Sequence, residues 1–205
     1  MYQFSFSPYP IIETERLILR KPTLKDVEAI FELCRRPETS KYSYWRPHNS
    51  IDETREMIKQ KLCDIKKGTL PPFFAVEEKS TGQVVGTCSY VSADSCYKSV
   101  EIGYSILSDC WGQGFGAEVA WGLTGYAFDR MEAQRVYARV LPENTASLKL
   151  LEKLGFVCEA VLKKDFFFDG KVSDVAVLAM TDDEYFEIIE ETECEQNGTQ
   201  ENSQL

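Results

Sequence analysis

The clearest alternation of apolar and polar positions runs from Glu101 to Phe156. Ile102, Tyr104 and Ile106 alternate with Gly103 and Ser105, the period-two pattern of a half-buried strand. Gly112, Gly114 and Gly116 follow at every second position, and Val119, Leu123, Tyr126, Ala127 and Arg130 then fall at helical spacings. QRVYARV predicts another strand and PENTASLKLLEKLGF another helix, with Gly155 where a helix-ending glycine belongs. The centre of the chain thus reads strand, glycine loop, helix, strand, helix.

The flanks are periodic too. Leu17 and Leu19 alternate with Arg16, Ile18 and Arg20 in a first strand. Thr23 with Asp26 predicts a capped helix through Val27, Ile30, Phe31 and Cys34 to Pro37, and Ser50 with Glu53 a second through Met57, Ile58 and Leu62 to Gly68. Residues 37–50 between them read as a loop rich in proline and aromatics. FFAVEE and VVGTCSYVS predict a hairpin about KSTGQ, and FVCEAVLKKDFFF and KVSDVAVLAM a second about Asp169-Gly170. A last helix over residues 182–191 is expected to fade into a polar, disordered tail, and residues 1–10 to form an aromatic arm over the body.

Composition narrows this picture. At 205 residues the chain fits one domain, placed at residues 11–181. The net charge of −10 is a property of the tail, because residues 182–205 hold nine acids and no Lys or Arg. The rest is close to neutral and has no basic patch for nucleic acid. Seven cysteines without a C-x-x-C pair argue against a disulfide framework or a metal site, and Cys88 and Cys158, in apolar runs, read as core residues. No stretch is apolar enough to span a membrane and no leader is visible, so the cytoplasm is the expected compartment.

The glycine loop presents bare backbone N–H groups to one point, and the first turn of the following helix adds its positive end, worth about 0.3 to 1 kcal/mol to an anion. A phosphate-bearing ligand is therefore expected on residues 113–118. ATP and GTP fit poorly, since a Walker loop needs a lysine and none occurs between Lys98 and Lys149. The spacing G-x-G-x-G, with no acid in the next strand, also fits a dinucleotide fold poorly.

Trp111 to Ala117 resembles the Q/R-x-x-G-x-G/A pyrophosphate loop of the GNAT acetyltransferases, with Trp in place of Gln or Arg. Asn144 to Phe156 is similar to that superfamily's later motif, an asparagine before a short helix closed by Gly-Phe. Glu13 to Arg20, ETERLILR, resembles the opening of the RimJ/RimL-type branch, which acetylates protein N-termini. The resemblance implies an α/β (α+β) fold with a mixed, mostly antiparallel central sheet, flanking helices and splayed fourth and fifth strands. It implies acetyl-CoA as cosubstrate and no metal. The pantetheine would lie along Tyr104, Ile106 and Leu107, the pyrophosphate on Gln113, Gly114, Phe115, Gly116 and Ala117, and Asn144 would bond the pantetheine or simply cap its helix.

The chain departs from the pattern where many GNAT enzymes have a tyrosine acid in the second helix, since that position is Leu151. Ser147 could instead hydrogen-bond the leaving thiolate, or be an ordinary helical serine. His48 is the only histidine, so a Ser-His-Asp or Cys-His triad would have to use that one residue, and Glu101 and Glu159 are the candidate bases unless they are merely salt-bridged. A base of this kind suits an α-amine, which costs about 3 to 4 kcal/mol less to deprotonate at pH 7 than a lysine. Tyr44 and Trp45 are expected to bind the acceptor, or to form a lid with Tyr42. The leading expectation is an N-acetyltransferase for protein N-termini, as monomer or homodimer. The alternatives are a small-amine acetyltransferase and a CoA-binding module without turnover.

Overall fold

A computed structural model describes residues 4, 6, 8–43, 45–66 and 71–201, with side chains described as far as Cys194. Eight strands form one sheet: β1 (Ile12–Glu13), β2 (Leu17–Arg20), β3 (Phe73–Glu78), β4 (Val84–Asp94), β5 (Ser99–Ile106), β6 (Arg135–Val140), β7 (Val157–Phe168) and β8 (Lys171–Thr181). Their order is β1-β2-β3-β4-β5-β6-β8-β7, and β5–β6 is the parallel pair in an otherwise antiparallel sheet. This is the expected mixed α/β architecture. The short β1 is an addition, so the fourth and fifth strands expected to splay are β5 and β6.

Helices α1 (Val27–Cys34), the short α2 (Pro37–Ser40) and α3 (Ile51–Lys66) lead into the sheet. Thr23 accepts from the Lys25 N–H, and Asp26 accepts from the Thr23 N–H at 2.6 Å, so the capping box read from sequence is present. Val27, Ile30, Leu33 and Cys34 of α1 meet Ile58 of α3 in a small apolar cluster. The stretch read as a loop contains α2, which proline at its first position favours.

The other face buries the larger core. Helix α4 (Phe115–Met131) sets Val119, Leu123 and Ala127 against Val100 and Ile102 of β5 and Val136 of β6. Helix α5 (Thr145–Lys153) adds Leu151, which is fully buried. The final helix α6 (Asp182–Glu201) docks through Tyr185, stacked near Phe128 and Trp121. It runs to Glu201 instead of ending at Glu191, because its second half is an uninterrupted polar helix with no apolar stripe to mark it in the sequence. At the other end of the chain, Phe6 stacks on Tyr90 at 6.1 Å and Tyr9 meets Phe74 edge-on at 5.8 Å.

One of the two apolar runs that carry cysteines diverges from expectation. β7 is the outer edge strand and most of it is exposed, so Cys158 is exposed while Cys88, on the interior strand β4, is buried. A bulge in β4 between Tyr90 and Ser92 shifts the register opposite β5. Gly103 makes room there: a Cβ on it would stand 2.9 Å from a Val91 methyl.

Gly155 closes α5 in the left-handed region at φ +92°, and an added Cβ would meet Ile188 Cδ1 at 2.5 Å. Gly155→Ala is expected to cost about 1 to 2 kcal/mol from the backbone alone. Urea denaturation should show a lowered midpoint with an unchanged slope.

Candidate active site

The site begins where β5 and β6 part. They share only three registered pairs, Ser99, Val100 and Glu101 with Arg135, Val136 and Tyr137. Beyond Glu101, β5 stays paired to β4 as far as Ile106, and β6 stays paired to β8 as far as Val140. Each strand keeps its outer partner, and the facing edges beyond Glu101 open into a wedge. A cavity of about 1030 Å³ passes through it. Gly103 and Ser105 line it from one face of β5, and Ile102, Tyr104 and Ile106 from the other.

The wedge ends on the glycine loop. Gly112 and Gly114 have φ of +76° and +84°, which a side chain at either position would strain. Gly114 is the N-cap of α4 and offers no side-chain cap, so the first-turn N–H groups keep their capacity for an anion. Gly116 is needed for packing: its Cβ would stand 3.0 Å from Leu150 Cδ1. Gly114, Phe115, Gly116 and Ala117 line the cavity, as do Trp111 and Gly112, whereas Gln113 and Leu107 lie outside the lining. Gln113 is exposed and its carbonyl accepts from Arg16, and the Leu107 N–H is spent on the Val85 carbonyl at 2.9 Å. Trp111, where the motif has Gln or Arg, donates its indole N–H to the Ile106 carbonyl at 2.7 Å, tying the loop to the end of β5.

Arg16 was not singled out by periodicity. Its guanidinium bonds the Gln113 carbonyl at 2.8 Å and Glu118 at 2.7 Å, and lies 4.7 Å over the Phe115 ring. Burial would raise the Glu118 carboxyl, but bonds from Thr14 and Arg16 hold it below its ordinary value. This cluster fixes the start of α4 against β2 and places a cation beside the phosphate cradle. The sequence signal was the ETERL segment, read there only as a family opening.

Helix α5 supplies the opposite wall. Asn144 Oδ1 accepts from the Ser147 N–H at 3.3 Å, so it caps α5 and also lines the cavity. Ser147 Oγ and Tyr104 OH are 3.0 Å apart. Burial pushes the Tyr104 hydroxyl up to about 12, the bond to Ser147 opposing, so it stays protonated at neutral pH. Leu151 is in the core and faces none of this chemistry. A tyrosine hydroxyl nevertheless reaches the wedge, from β5 instead of the helix.

The two glutamates separate clearly. Glu159 was read either as a base raised by burial among apolar strand residues or as a salt-bridged glutamate, and the structure shows the second. On the exposed edge strand it pairs with Arg135 at 2.7 Å, and that guanidinium lowers its pKa; it is absent from the cavity lining. Glu101 is only 8% exposed and sits at the apex of the wedge, immediately behind the lining residues Ile102 and Gly103. Burial raises its carboxyl, with the Arg139 charge and bonds from Ser92 and Tyr137 opposing. Ser92 Oγ lies 3.4 Å from Glu101 and 3.1 Å from Tyr137 OH, a short polar chain at the apex.

Toward α3 the cavity is walled by Tyr42, Trp45, His48 and Phe73. Tyr44 lies outside the described residues. Sequence reading set His48 aside as solitary, yet it lines the cavity, with Nδ1 bonded to Thr54 at 2.7 Å and burial lowering its pKa. Among the described residues no cluster of His, Cys, Asp or Glu could hold a metal ion.

A free strand edge, a glycine loop at a helix N-terminus and a cleft reaching both faces of the sheet suit an extended, phosphate-bearing carrier. Residues 16–157 match the acetyltransferase (GNAT) domain model. The chain is 34% identical over 172 residues to the uncharacterized N-acetyltransferase p20 of Bacillus licheniformis, covering 84% of this chain and 96% of that protein. It is 25% identical over 170 residues to a spermidine N(1)-acetyltransferase of Vibrio cholerae, covering 83% and 95%. A GNAT-family acetyltransferase structure from Bacillus anthracis matches with a TM-score of 0.75 at 25% identity, covering 85% and 99%. RimL, a ribosomal L7/L12 alpha-N-protein acetyltransferase in complex with coenzyme A, shares the fold with a TM-score of 0.74 at 21% identity, covering 84% and 98%. The chain belongs to the GNAT acetyltransferases and is an acetyl-CoA-dependent N-acetyltransferase.

Gly114→Val should raise the Kd for coenzyme A at least about tenfold, a loss of about 1.4 kcal/mol, by occupying the cradle and straining the loop. Calorimetry with a circular-dichroism check of the fold measures it, and unaltered affinity would move the phosphates elsewhere.

Proposed function

We propose that the enzyme acetylates an α-amine, that of a peptide or protein N-terminus, by direct attack in a ternary complex with Glu101 as the base. The observation that carries this reading is the position of Glu101, a buried carboxylate at the apex of the wedge with its pKa raised by burial. Burial makes such a carboxylate a stronger base than an exposed one, yet still a weak one against a lysine ammonium. An α-amine costs about 3 to 4 kcal/mol less to deprotonate at pH 7. RimL acts on such an amine by its name, and this chain shares its fold.

When bound, acetyl-CoA supplies an activated acyl group whose transfer releases a thiolate. The chain's residues do the rest by positioning. The β5 edge from Ile102 to Ile106 offers backbone groups to the pantetheine amides, as one strand does to another, and the cradle at Gly114 to Ala117 takes the pyrophosphate. Asn144 lies on the pantetheine wall. Glu101 takes the ammonium proton through a water, since it stands just behind the lining. Tyr104 OH and Ser147 Oγ, a coupled pair, donate to the departing thiolate in place of the absent helix tyrosine. Seven unpaired cysteines suit a reducing compartment, and we place the enzyme in the cytoplasm. Among the described residues no helix is long and apolar enough to cross a membrane.

The base is tested by pH and substitution. Because burial raises the Glu101 pKa, activity should fall as pH drops through a value above the ordinary carboxylate range. Glu101→Gln should lower kcat about 100-fold or more and abolish that acid limb, with the Kd for coenzyme A unchanged. Glu159→Gln should leave turnover intact. A silent Glu101→Gln with a dead His48→Gln would move the base to the imidazole. Tyr104→Phe should lower kcat about tenfold with little change in KM, and least with acyl donors whose thiols are more acidic.

A further inference from the structure

The α3 end of the cavity is lined by one cation and by polar groups without a partner among the described residues. Of the lining residues, Glu38 is the one carboxylate, and its Oε1 already accepts from Ser108 Oγ at 3.2 Å. The lining cations are Lys61, Arg139, Lys149 and Lys153. Lys149 and Lys153 stand one turn apart on α5, on the coenzyme wall, and Arg139 is paired with Asp165. Lys61, on α3, is different. Among the described residues it forms no ion pair, and its ammonium lies 5.0 Å over the ring of Phe73, itself buried. Burial lowers its pKa, with Asp64 and Cys34 opposing.

Two further groups on other elements point the same way. Trp45 Nε1 in the connecting loop and Thr39 Oγ1 of α2 are buried without a hydrogen-bond partner among the described residues, and both residues line this cavity. An indole N–H can only donate, and a buried donor left unpaired costs about 1 to 3 kcal/mol. A ligand bearing an anionic acceptor group would satisfy Lys61 and could take up these donors as well. A polyamine, a chain of cations, would meet Lys61 with repulsion and find one occupied carboxylate.

We propose that the acceptor carries a carboxylate beside its reacting amine, and that Lys61, assisted by Trp45 and Thr39, anchors it. The inference rests on the α-amine reading of the site and specifies the substrate within it. The carboxylate belongs either to an Asp or Glu side chain near a protein N-terminus or to the C-terminus of a short peptide, and the same cavity chemistry serves both.

The test measures free-thiol release with acetyl-CoA and pentapeptides sharing one N-terminal residue and bearing Asp, Asn or Lys at the second and third positions, each as free acid and as amide, alongside spermidine. Asp peptides should exceed Lys peptides at least tenfold in kcat/KM, mostly through KM. Lys61→Met should erase the difference, Lys61→Arg keep it, and Lys61→Glu reverse it. A preference confined to free acids assigns the carboxylate to the peptide terminus, and one that survives amidation to the side chain. Equal rates for Asp and Lys peptides, a preference that survives Lys61→Met, or spermidine as the best acceptor would overturn the anchor while leaving the transferase intact. Calorimetry of the already acetylated Asp and Lys peptides on the protein–coenzyme A complex reads the anchor without turnover. If no amine releases thiol, the α-amine reading fails, and the anchor stands or falls on whether the acetylated Asp peptide binds more tightly than the Lys one and loses that advantage in Lys61→Met.

Discussion

Backbone hydrogen bonding at the junction of β5 and β6 governs everything else in this molecule. A strand inside a sheet must place its N–H and C=O groups somewhere. β5 spends one edge on β4 along its whole length, and β6 spends one edge on β8 along its whole length, while between them only three registered pairs form. The unspent edge of β5 is a slot for an extended polar chain, and an amide-bearing pantetheine is such a chain. The glycine loop, α5 and Glu101 matter because of where they stand relative to that slot. The loop terminates it, α5 walls it and the carboxylate marks its closed end.

Close packing holds the slot open. Gly116 brings α4 within contact of Leu150 and Tyr104, joining α5 to β5 across the opening. Tyr104 and Ser147 then meet at 3.0 Å, one from each side. A larger residue at 116 would separate the two walls, so this glycine is constrained by packing as firmly as Gly114 is by its backbone angle. Trp111 and Arg16 brace the same loop from β5 and from β2. The cradle is therefore tied to the sheet at two independent points, and the anion site is set before any ligand arrives. That reduces the ordering cost of binding.

Much of this was legible in the sequence, for identifiable reasons. Period-two and helical spacing located the central strand, the loop and α4, because each element there buries one face. A capping box at Thr23 and a serine cap at Ser50 marked helix starts through chemistry local to three or four residues. Where neighbours decided the outcome, sequence was insufficient. Glu159 sits among apolar residues in sequence, but β7 is an edge strand, so the surrounding valines face solvent and the carboxylate finds Arg135. The Tyr104–Ser147 pair joins residues 43 positions apart, and Arg16 reaches the loop 97 positions away. No spacing rule covers contacts of that range.

Charge placement adds a last constraint. The chain is acidic overall at −10, yet the charged residues lining its largely apolar cavity are four cations and one carboxylate. The two facts do not conflict, because nine acids and no Lys or Arg belong to α6, which docks on β8 and α4. At physiological salt a charge is screened over about 8 Å, so acids on the outer helix have little hold on a ligand inside the wedge. The cavity's own field then decides what enters. The cations on α5 suit an anionic coenzyme and, by the same sign, Lys61 on α3 suits the anionic acceptor proposed above. In the proposed reaction, a base at the apex that cannot strip a lysine cheaply and a wall that repels polycations act on the same ligand from opposite ends, and the proposed acceptor, an α-amine with a carboxylate, satisfies both.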